Sequence, residues 1–389
     1  MYNLDIALQR KINMINKPSY LKLYASLILV IISLIGFSQD KDALEEVAIE
    51  LTDSTKSRSK LNAYPYVFYT PETQFAAGGG GIFIFYTSKD TVVNPSKIGF
   101  GGYYSTNKQY KISMNNVYYF FNNKLYFDLP LSYGYFVDKF WGIGDDTETT
   151  GNEAYTKTTF TAGITIQVPP IMFMADRTGL ILDYDYTEIV DKDNNEYLIN
   201  DEVIGSNGGQ FLGIGTDLVW DTRDNIFFPN TGGYQYMKFV VYPGIGDFVF
   251  GLFELDVKHF WSFSPDHVFA SNFYFEGVSG GTPFYKLPAL GGPKRMRGYF
   301  QGRYRDNIYM MLQLEYRQYF WKSFGFVVFG GTGNVAKELT SYDFSTMKYS
   351  FGGGLRYLFN KKQKINLRMD VGFGLDGNMG IYFGIEEAF

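Results

Sequence analysis

Residues 364–374 read KINLRMDVGFG, and apolar and polar side chains alternate along this stretch. The apolar positions are Ile365, Leu367, Met369, Val371 and Phe373, and the positions between them are Asn366, Arg368, Asp370 and Gly372. Successive side chains of a β-strand point to opposite faces, so a period of two indicates a strand. This stretch therefore predicts a strand with one apolar face and one polar, partly charged face.

The same alternation recurs along most of the chain. Residues 124–135 and 248–262 repeat it most clearly, and turn residues separate the stretches. Between Asn62 and Glu387 we count about sixteen such stretches, an even number, as bacterial single-chain barrels require. Long and short connections alternate between them, as expected when antiparallel strands have long outer loops and short periplasmic turns, except that those at residues 87–96 and 220–232 are longer than expected.

The apolar faces are predicted to point outward, toward lipid. The stretches are long, and their ends carry Tyr, Phe and Trp, as in the aromatic girdles of a membrane barrel. Aromatic residues make up 19% of the chain, with 33 Tyr and 37 Phe. A soluble sandwich would instead bury the apolar faces. We therefore expect an all-β fold, a single transmembrane antiparallel β-barrel of the outer-membrane type, over residues 62–389.

The N-terminal residues have the pattern of an export signal. Lys17 and Lys22 precede an apolar run at residues 23–35, and the small residues Gly36 and Ser38 precede a cleavage point. The prediction is a signal peptide over residues 1–38, then a polar periplasmic linker over residues 39–61. The alternative is an uncleaved membrane anchor, although the run is short for a membrane-spanning helix.

Composition argues against several classes of function. The chain has no cysteine, which excludes disulfides, thiolate metal sites and cysteine nucleophiles. The net charge is −5 and no basic tract is present, so no nucleic-acid partner is expected. The two histidines, His259 and His267, belong to strands, so we expect no enzymatic activity and no cofactor. Residues 191–202 (DKDNNEYLINDE) read as an acidic outer loop, with a divalent-cation site as the alternative.

Residues 290–306 (LGGPKRMRGYFQGRYRD) form a Gly/Arg-rich connection between two predicted strands. An arginine inside a barrel lumen needs a carboxylate partner, because an unpaired buried charge is costly. For Arg297 the natural partner is Glu315, which shares the polar face of the next strand with Gln313 and Arg317. The alternative is that Arg297 is a solvated loop arginine.

These residues resemble the BamA/TamA family of outer-membrane insertases and translocases, also called the bacterial surface antigen family. Met296-Arg297-Gly298-Tyr299 stands where the family has Val-Arg-Gly-Phe in its sixth outer loop. The segment at residues 220–232 (WDTRDNIFFPNTG), with Asp221, Arg223 and Asp224, is similar to a periplasmic turn of the family. The ending at residues 380–389 (GIYFGIEEAF) is similar to its assembly signal, with Phe389 last. The resemblance covers residues 62–389.

The resemblance implies a latch in which Arg297, Gly298 and Tyr299 hold the loop against Glu315 inside the lumen. The family also uses an Asp in the following strand, where this chain has Gly331, so half of the acidic pair is expected to be missing. The family's insertases carry periplasmic POTRA receptor domains, and only residues 39–61 precede the barrel here. We therefore expect a short form without POTRA domains.

The implied function is assistance in the assembly, insertion or translocation of other outer-membrane proteins. The implied location is the bacterial outer membrane. The implied partners are the lipid bilayer, client outer-membrane proteins and an accessory periplasmic subunit. Two alternatives stay open: a passive pore or solute channel, and a structural, partner-binding barrel in an envelope complex.

Overall fold

The computed structural model describes residues 60–88, 93–169, 175–264, 266–321, 323–360, 364–375 and 377–389. These residues belong to one compact unit, Arg58–Phe389. The predicted signal peptide and nearly all of the predicted linker lie outside the described residues. The first strand begins at Lys60, so the last two residues assigned to the linker belong to the barrel.

Eighteen strands are described, in the chain order β1 (Lys60–Thr70), β2 (Gln74–Phe85), β3 (Ser96–Ser105), β4 (Tyr110–Phe120), β5 (Leu125–Lys139), β6 (Ala154–Val168), β7 (Arg177–Asp191), β8 (Gly208–Asp221), β9 (Gly232–Gly246), β10 (Val249–Ser264), β11 (His267–Gly280), β12 (Ala289–Leu290), β13 (Tyr304–Arg305), β14 (Ile308–Trp321), β15 (Phe324–Ala336), β16 (Lys348–Asn360), β17 (Ile365–Gly374) and β18 (Met379–Ile385). One short helix, α1 (Glu196–Ile199), lies between β7 and β8. No helix among the described residues is long and apolar enough to cross a membrane.

Sixteen of the strands form one antiparallel sheet in chain order, and the short β12 and β13 form a separate pair. The sheet curls until β18 lies beside β1, with Cα atoms within 8 Å of each other. Within the described residues, no ladder pairing joins β1 to β18. The predicted sixteen-stranded antiparallel barrel is therefore confirmed, and the barrel is nearly closed.

The two faces of β17 have the predicted polarity. Leu367, Met369 and Phe373 are 38–44% exposed on the outside, whereas Asn366 is 1% exposed and Asp370 is 0% exposed on the inside. A soluble protein would bury the apolar side chains and expose the charged ones. The outer face therefore suits hydrocarbon, and the lumen is polar.

Because the strands alternate in direction, odd and even connections leave opposite ends of the barrel. The long connections at residues 140–153, 192–207, 281–307 and 337–347 all leave one end, called here the long-loop end. The opposite end, called the short-turn end, is where β1 begins and β18 ends. Most connections at the short-turn end are short, and the two ten-residue connections, between β2 and β3 and between β8 and β9, are the exceptions.

The long loops are bonded to one another across the long-loop end. The Asn195 side-chain amide donates to the Phe140 carbonyl oxygen at 2.9 Å. Arg303 donates from both terminal nitrogens to Thr147, at 2.7 and 2.8 Å. The Phe140 ring lies 4.7 Å from the Phe284 ring. Three different loops are therefore connected above the lumen.

Candidate functional site

The connection between β11 and β14, residues 281–307, is called here the arginine loop. Its arms pair at β12 and β13, where Ala289 faces Arg305 and Leu290 faces Tyr304. Beyond this pair the loop tip contacts lumen-facing side chains of the barrel wall. Met296 is 1% exposed. The tip is therefore a packed part of the lumen and not a free surface loop.

Arg297 lies at the centre of this packing, and its side chain is fully buried. One terminal nitrogen of its guanidinium donates to Glu315 Oε2 at 2.5 Å, and the other donates to Asp370 Oδ2 at 2.6 Å. The guanidinium also stacks 3.5 Å from the centre of the Phe329 ring. The Arg297 carbonyl oxygen accepts a hydrogen bond from Ser350. The structure thus places Arg297 against Glu315, as a lumen latch requires.

The second carboxylate comes from Asp370 on β17, three strands away from Glu315. The expectation that this acid would be missing is therefore wrong. Gly331, where the family has an acid, leaves room for the loop: a Cβ there would lie 3.3 Å from Met296 Sδ. An Asp at position 331 would compete for that space.

Gly298 and Tyr299 fix the loop tip to the last strands of the sheet. Gly298 has φ +118°, and a Cβ on it would lie 2.5 Å from the Phe373 carbonyl carbon. Only glycine combines this backbone conformation with such a close approach. The Gly298 N–H donates to the Tyr382 hydroxyl at 3.0 Å, and the Tyr299 hydroxyl donates to the Tyr349 carbonyl oxygen at 3.1 Å.

Further arginines surround the two carboxylates. Glu315 Oε1 accepts from Arg317 Nε at 2.8 Å. Asp370 Oδ1 accepts from Arg356 at 2.6 Å, and its Oδ2 also accepts from Arg368 at 3.1 Å. The alternating pattern already placed Arg317, Arg368 and Asp370 on lumen faces. Ionisable residues inside a membrane-spanning strand are functional candidates, and this signal pointed to Asp370. The sequence did not indicate that Asp370 lies near Glu315, because β17 is three strands away from β14 in the sheet.

The tip also contacts the opposite edge of the sheet. Glu72 lies in the turn between β1 and β2, and its Oε1 accepts a hydrogen bond from the Gln301 N–H at 2.8 Å. Tyr382, which holds Gly298, belongs to β18. The loop tip, over residues 298–301, is therefore bonded to both edges of the sheet.

At the short-turn end, the turn between β8 and β9 is ordered by its own acids. Arg223 makes a two-point ion pair with Asp221, at 2.8 and 2.7 Å. Asp224 Oδ1 accepts the N–H groups of Asn230 and Thr231, at 2.8 and 3.2 Å. The turn thereby takes a fixed shape that directs Phe228 into a buried cluster at this end of the lumen.

Phe389 does not continue β18 on the lipid face. Its carbonyl oxygen accepts from Arg317 at 2.8 Å, inside the lumen. Its ring packs against the cluster of Phe228, Phe260 and Val268. That Phe389 forms an assembly signal stays a prediction; in the folded barrel its side chain lies inside.

The other candidate sites are structural in appearance. In residues 191–202, the Asp201 carboxylate accepts hydrogen bonds from Lys192 and from Ser206, each at 2.8 Å. These two bonds hold the pKa of the Asp201 carboxyl below its ordinary value. No group of three or more His, Asp or Glu suited to a metal ion occurs in the described part of the chain. His259 packs 4.3 Å from the Trp261 ring, and His267 is hydrogen bonded to the Tyr316 hydroxyl at 2.5 Å.

These features define a transmembrane β-barrel whose lumen holds a long, arginine-bearing loop. The Omp85 superfamily domain matches residues 94–389, so the chain belongs to the Omp85 superfamily. The resemblance to BamA-type barrels predicted from the sequence is thereby confirmed.

Solved structures of the same fold agree. A BamA from Haemophilus ducreyi lacking POTRA domains 1-3 superposes with a TM-score of 0.60 at 13% identity, over 85% of this chain and 71% of that one. CdiB from Acinetobacter baumannii superposes with a TM-score of 0.54 at 12% identity, over 84% of this chain and 59% of that one. No protein with a curated description matches the chain. Family and fold together point to the bacterial outer membrane.

Proposed function

We propose that this barrel assists the assembly, insertion or translocation of other outer-membrane proteins, and that it acts through the seam between β1 and β18. The observation that carries the proposal is the unpaired contact of these two edge strands, with the arginine loop bonded to both. The proposal takes the short-turn end as periplasmic. No cofactor or catalytic residue is required.

A sheet edge presents unpaired N–H and C=O groups that can pair with an incoming strand. Here β1 has eleven residues and β18 only seven, so β18 is too short to lie along the whole of the β1 edge. In hydrocarbon such groups need a hydrogen-bond partner. An incoming client strand would supply that partner, and the seam would serve as its template.

Arg297 keeps the arginine loop seated while the seam changes. Its two carboxylates belong to β14 and β17, on the β18 side of the seam. The contact to the β1 side depends on Glu72. The loop would therefore stay with the C-terminal strands when the β1 edge separates, and Glu72 would set how easily that edge leaves.

The polar lumen also suits a passive pore, which is the alternative function. The bonds between loops across the long-loop end favour the insertase proposal, because a pore needs that end open. A structural barrel in an envelope complex would also fit the family, whose members usually work with partner proteins. An accessory periplasmic subunit is the partner we expect.

The test compares depletion with a locked seam in the native organism. Loss of this protein should lower the amounts of several other outer-membrane barrels, whereas loss of a pore should impair uptake of one solute. A disulfide between facing cysteines on β1 and β18 should reproduce the loss. The control is a disulfide between Val67→Cys and Ala77→Cys, which face each other within the β1–β2 hairpin. Normal barrel levels with the seam locked would overturn the proposal.

A further inference from the structure

The segment after β18, residues 386–389, turns into the lumen instead of continuing the sheet. Glu386 has φ +68°, and its N–H donates to the Asn366 carbonyl oxygen at 2.9 Å. Beyond this bend, Glu387 and Ala388 are only 8% and 3% exposed. The segment is called here the inward tail. It is held by specific partners at two points.

The first point is the Glu387 carboxylate. Arg356 Nε donates to its Oε2 at 2.7 Å, and the Asn366 amide donates to its Oε1 at 2.7 Å. Both partners are themselves buried. The neighbouring Glu386 is exposed and has no ion pair in the described part of the chain. Of the two adjacent glutamates, Glu387 is therefore the one whose side chain is buried and bonded to lumen-facing residues of the barrel strands.

The second point is Phe389. Its carbonyl oxygen accepts from Arg317 Nη2 at 2.8 Å, and the Arg317 guanidinium lies 5.4 Å from its ring. The ring also joins the buried cluster with Phe228 and Phe260. Arg317 is 1% exposed, so this contact excludes water from its guanidinium.

The arginines that hold the inward tail also hold the two carboxylates that bind Arg297. Arg317 donates to Glu315, and Arg356 donates to Asp370. One unbroken series of contacts therefore runs from Phe389 to Glu387: a hydrogen bond joins Phe389 to Arg317, and ion pairs then link Arg317, Glu315, Arg297, Asp370, Arg356 and Glu387. The first and the last residue of this series, Phe389 and Glu387, both belong to the inward tail.

We propose that the inward tail and the arginine loop are energetically coupled, so that each stays seated only while the other does. If the tail leaves, Arg317 and Arg356 each lose a hydrogen-bond partner, and the carboxylate to which each remains directly bonded among the described residues is one that also binds Arg297. Hydrogen-bonded ion networks strengthen their members, and removal of one partner weakens the others. Coupling of this kind is reciprocal: loss of the Arg297 contacts must loosen the tail by the same factor.

The inward tail lies at the short-turn end, and the loop extends to the long-loop end. Anything that draws the tail from the lumen would therefore release the latch at a distance. The inference goes beyond the proposed function and does not depend on it, because it concerns only the two segments. It holds equally for a pore or a structural barrel.

The test uses the full-length protein in lipid vesicles, with one reporter cysteine in a chain that has none of its own. Met296→Cys reports on the loop, because Met296 is buried in a cluster separate from the one that contains Phe389. With Glu387→Ala added, labelling by a water-soluble maleimide should accelerate at least about fivefold, the lower end of typical coupling factors. Glu386→Ala is the matched control and should change the rate less than twofold.

The reverse arm uses Ala388→Cys as reporter, and its labelling should accelerate similarly when Arg297→Ala is added. Heat-modifiable gel migration shows that each variant remains a folded barrel. If Glu387→Ala does not fold, Glu387→Gln removes the charge at constant size and should give a smaller acceleration. Loop labelling at the wild-type rate in a folded Glu387 variant would overturn the proposal, as would equal acceleration by Glu386→Ala.

Discussion

At the scale of single residues, the latch depends on the geometry of one guanidinium. Arg297 donates from separate nitrogens to Glu315 and Asp370, at 2.5 and 2.6 Å, and none of the three side chains is exposed. An ammonium group is a point charge and does not reproduce this planar two-sided arrangement. Burial makes the loss of any partner costly, because the remaining buried charge is then neither paired with an opposite charge nor hydrated by water.

Arg297→Ala should therefore lower the free energy of unfolding by about 3–5 kcal/mol. Arg297→Lys should fall between Ala and the wild type. The measurement is thermal unfolding in detergent, followed by gel migration. Arg303→Ala, in the same loop, is the control: the Arg303 guanidinium donates to the uncharged Thr147 and lies 4.4 Å from the centre of the Tyr304 ring, and its loss should cost about 1 kcal/mol. An equal decrease in the free energy of unfolding for the two alanine variants would show that the buried ion pairs of Arg297 contribute no more stability than an ordinary loop hydrogen bond.

Gly298 allows a second prediction at this scale. A Cβ at Gly298 meets the β17 backbone at 2.5 Å, whereas a Cβ at Gly377, which also has a positive φ, meets nothing within 4 Å. Gly298→Ala should therefore unseat the loop, and Gly377→Ala should show only the cost of backbone strain, about 1 kcal/mol. Cysteine labelling at Met296→Cys separates the two outcomes. Unchanged labelling in Gly298→Ala would contradict the close approach.

At the scale of elements, the β1–β2 hairpin is attached to the loop through a titratable group. Burial raises the pKa of Glu72 above its ordinary value of 4.5, although N–H donation from Gln301 partly opposes the shift. Folding therefore favours the protonated form. The resulting stability is fully present below pH 4.5 and is lost as the pH rises through the raised pKa.

Glu72→Gln, which is neutral at every pH, should remove this dependence. Relative to Glu72→Gln, the wild type should lose stability as the pH is raised from 4.5 to neutrality. Melting temperatures of both proteins over that range provide the measurement. Glu148→Gln, at an exposed loop glutamate, should run parallel to the wild type. A wild type that gains stability relative to Glu72→Gln over this range would contradict the predicted sign.

The elements also show how far sequence reasoning reached. The alternation in β17 predicted both of its faces, because a period of two is a local property. Asp370 as a partner of Arg297 was not predicted, since that contact depends on how the sheet curves. The inward tail was missed for a related reason: residues 380–386 continue to alternate, and the bend at Glu386 is set by partners on β16 and β17.

At the scale of the whole molecule, the lumen is occupied on one side and hollow on the other. Residues 296–299 of the arginine loop pack against β14 to β18, Lys286 and Arg295 of the same loop reach β7, β10 and β11, and a cavity of about 710 Å³ remains between the loop and the first strands. Above it, the loops are bonded across the long-loop end. Asp145 takes part in this closure, because it accepts hydrogen bonds from Asn334 at 2.8 Å and from Thr346 at 2.6 Å.

Closure of the long-loop end predicts that the wild-type barrel conducts little in planar bilayers. Asp145→Ala removes two hydrogen bonds to a charged group, and such bonds contribute about 1.5–3 kcal/mol each. If one of them limits opening, open events should become roughly 10- to 150-fold more frequent. Asp146→Ala, at an exposed neighbour, should leave conductance unchanged. A wild type that already conducts steadily, with no increase in Asp145→Ala, would mean that the loops do not close the lumen, and the pore would become the better description of this barrel.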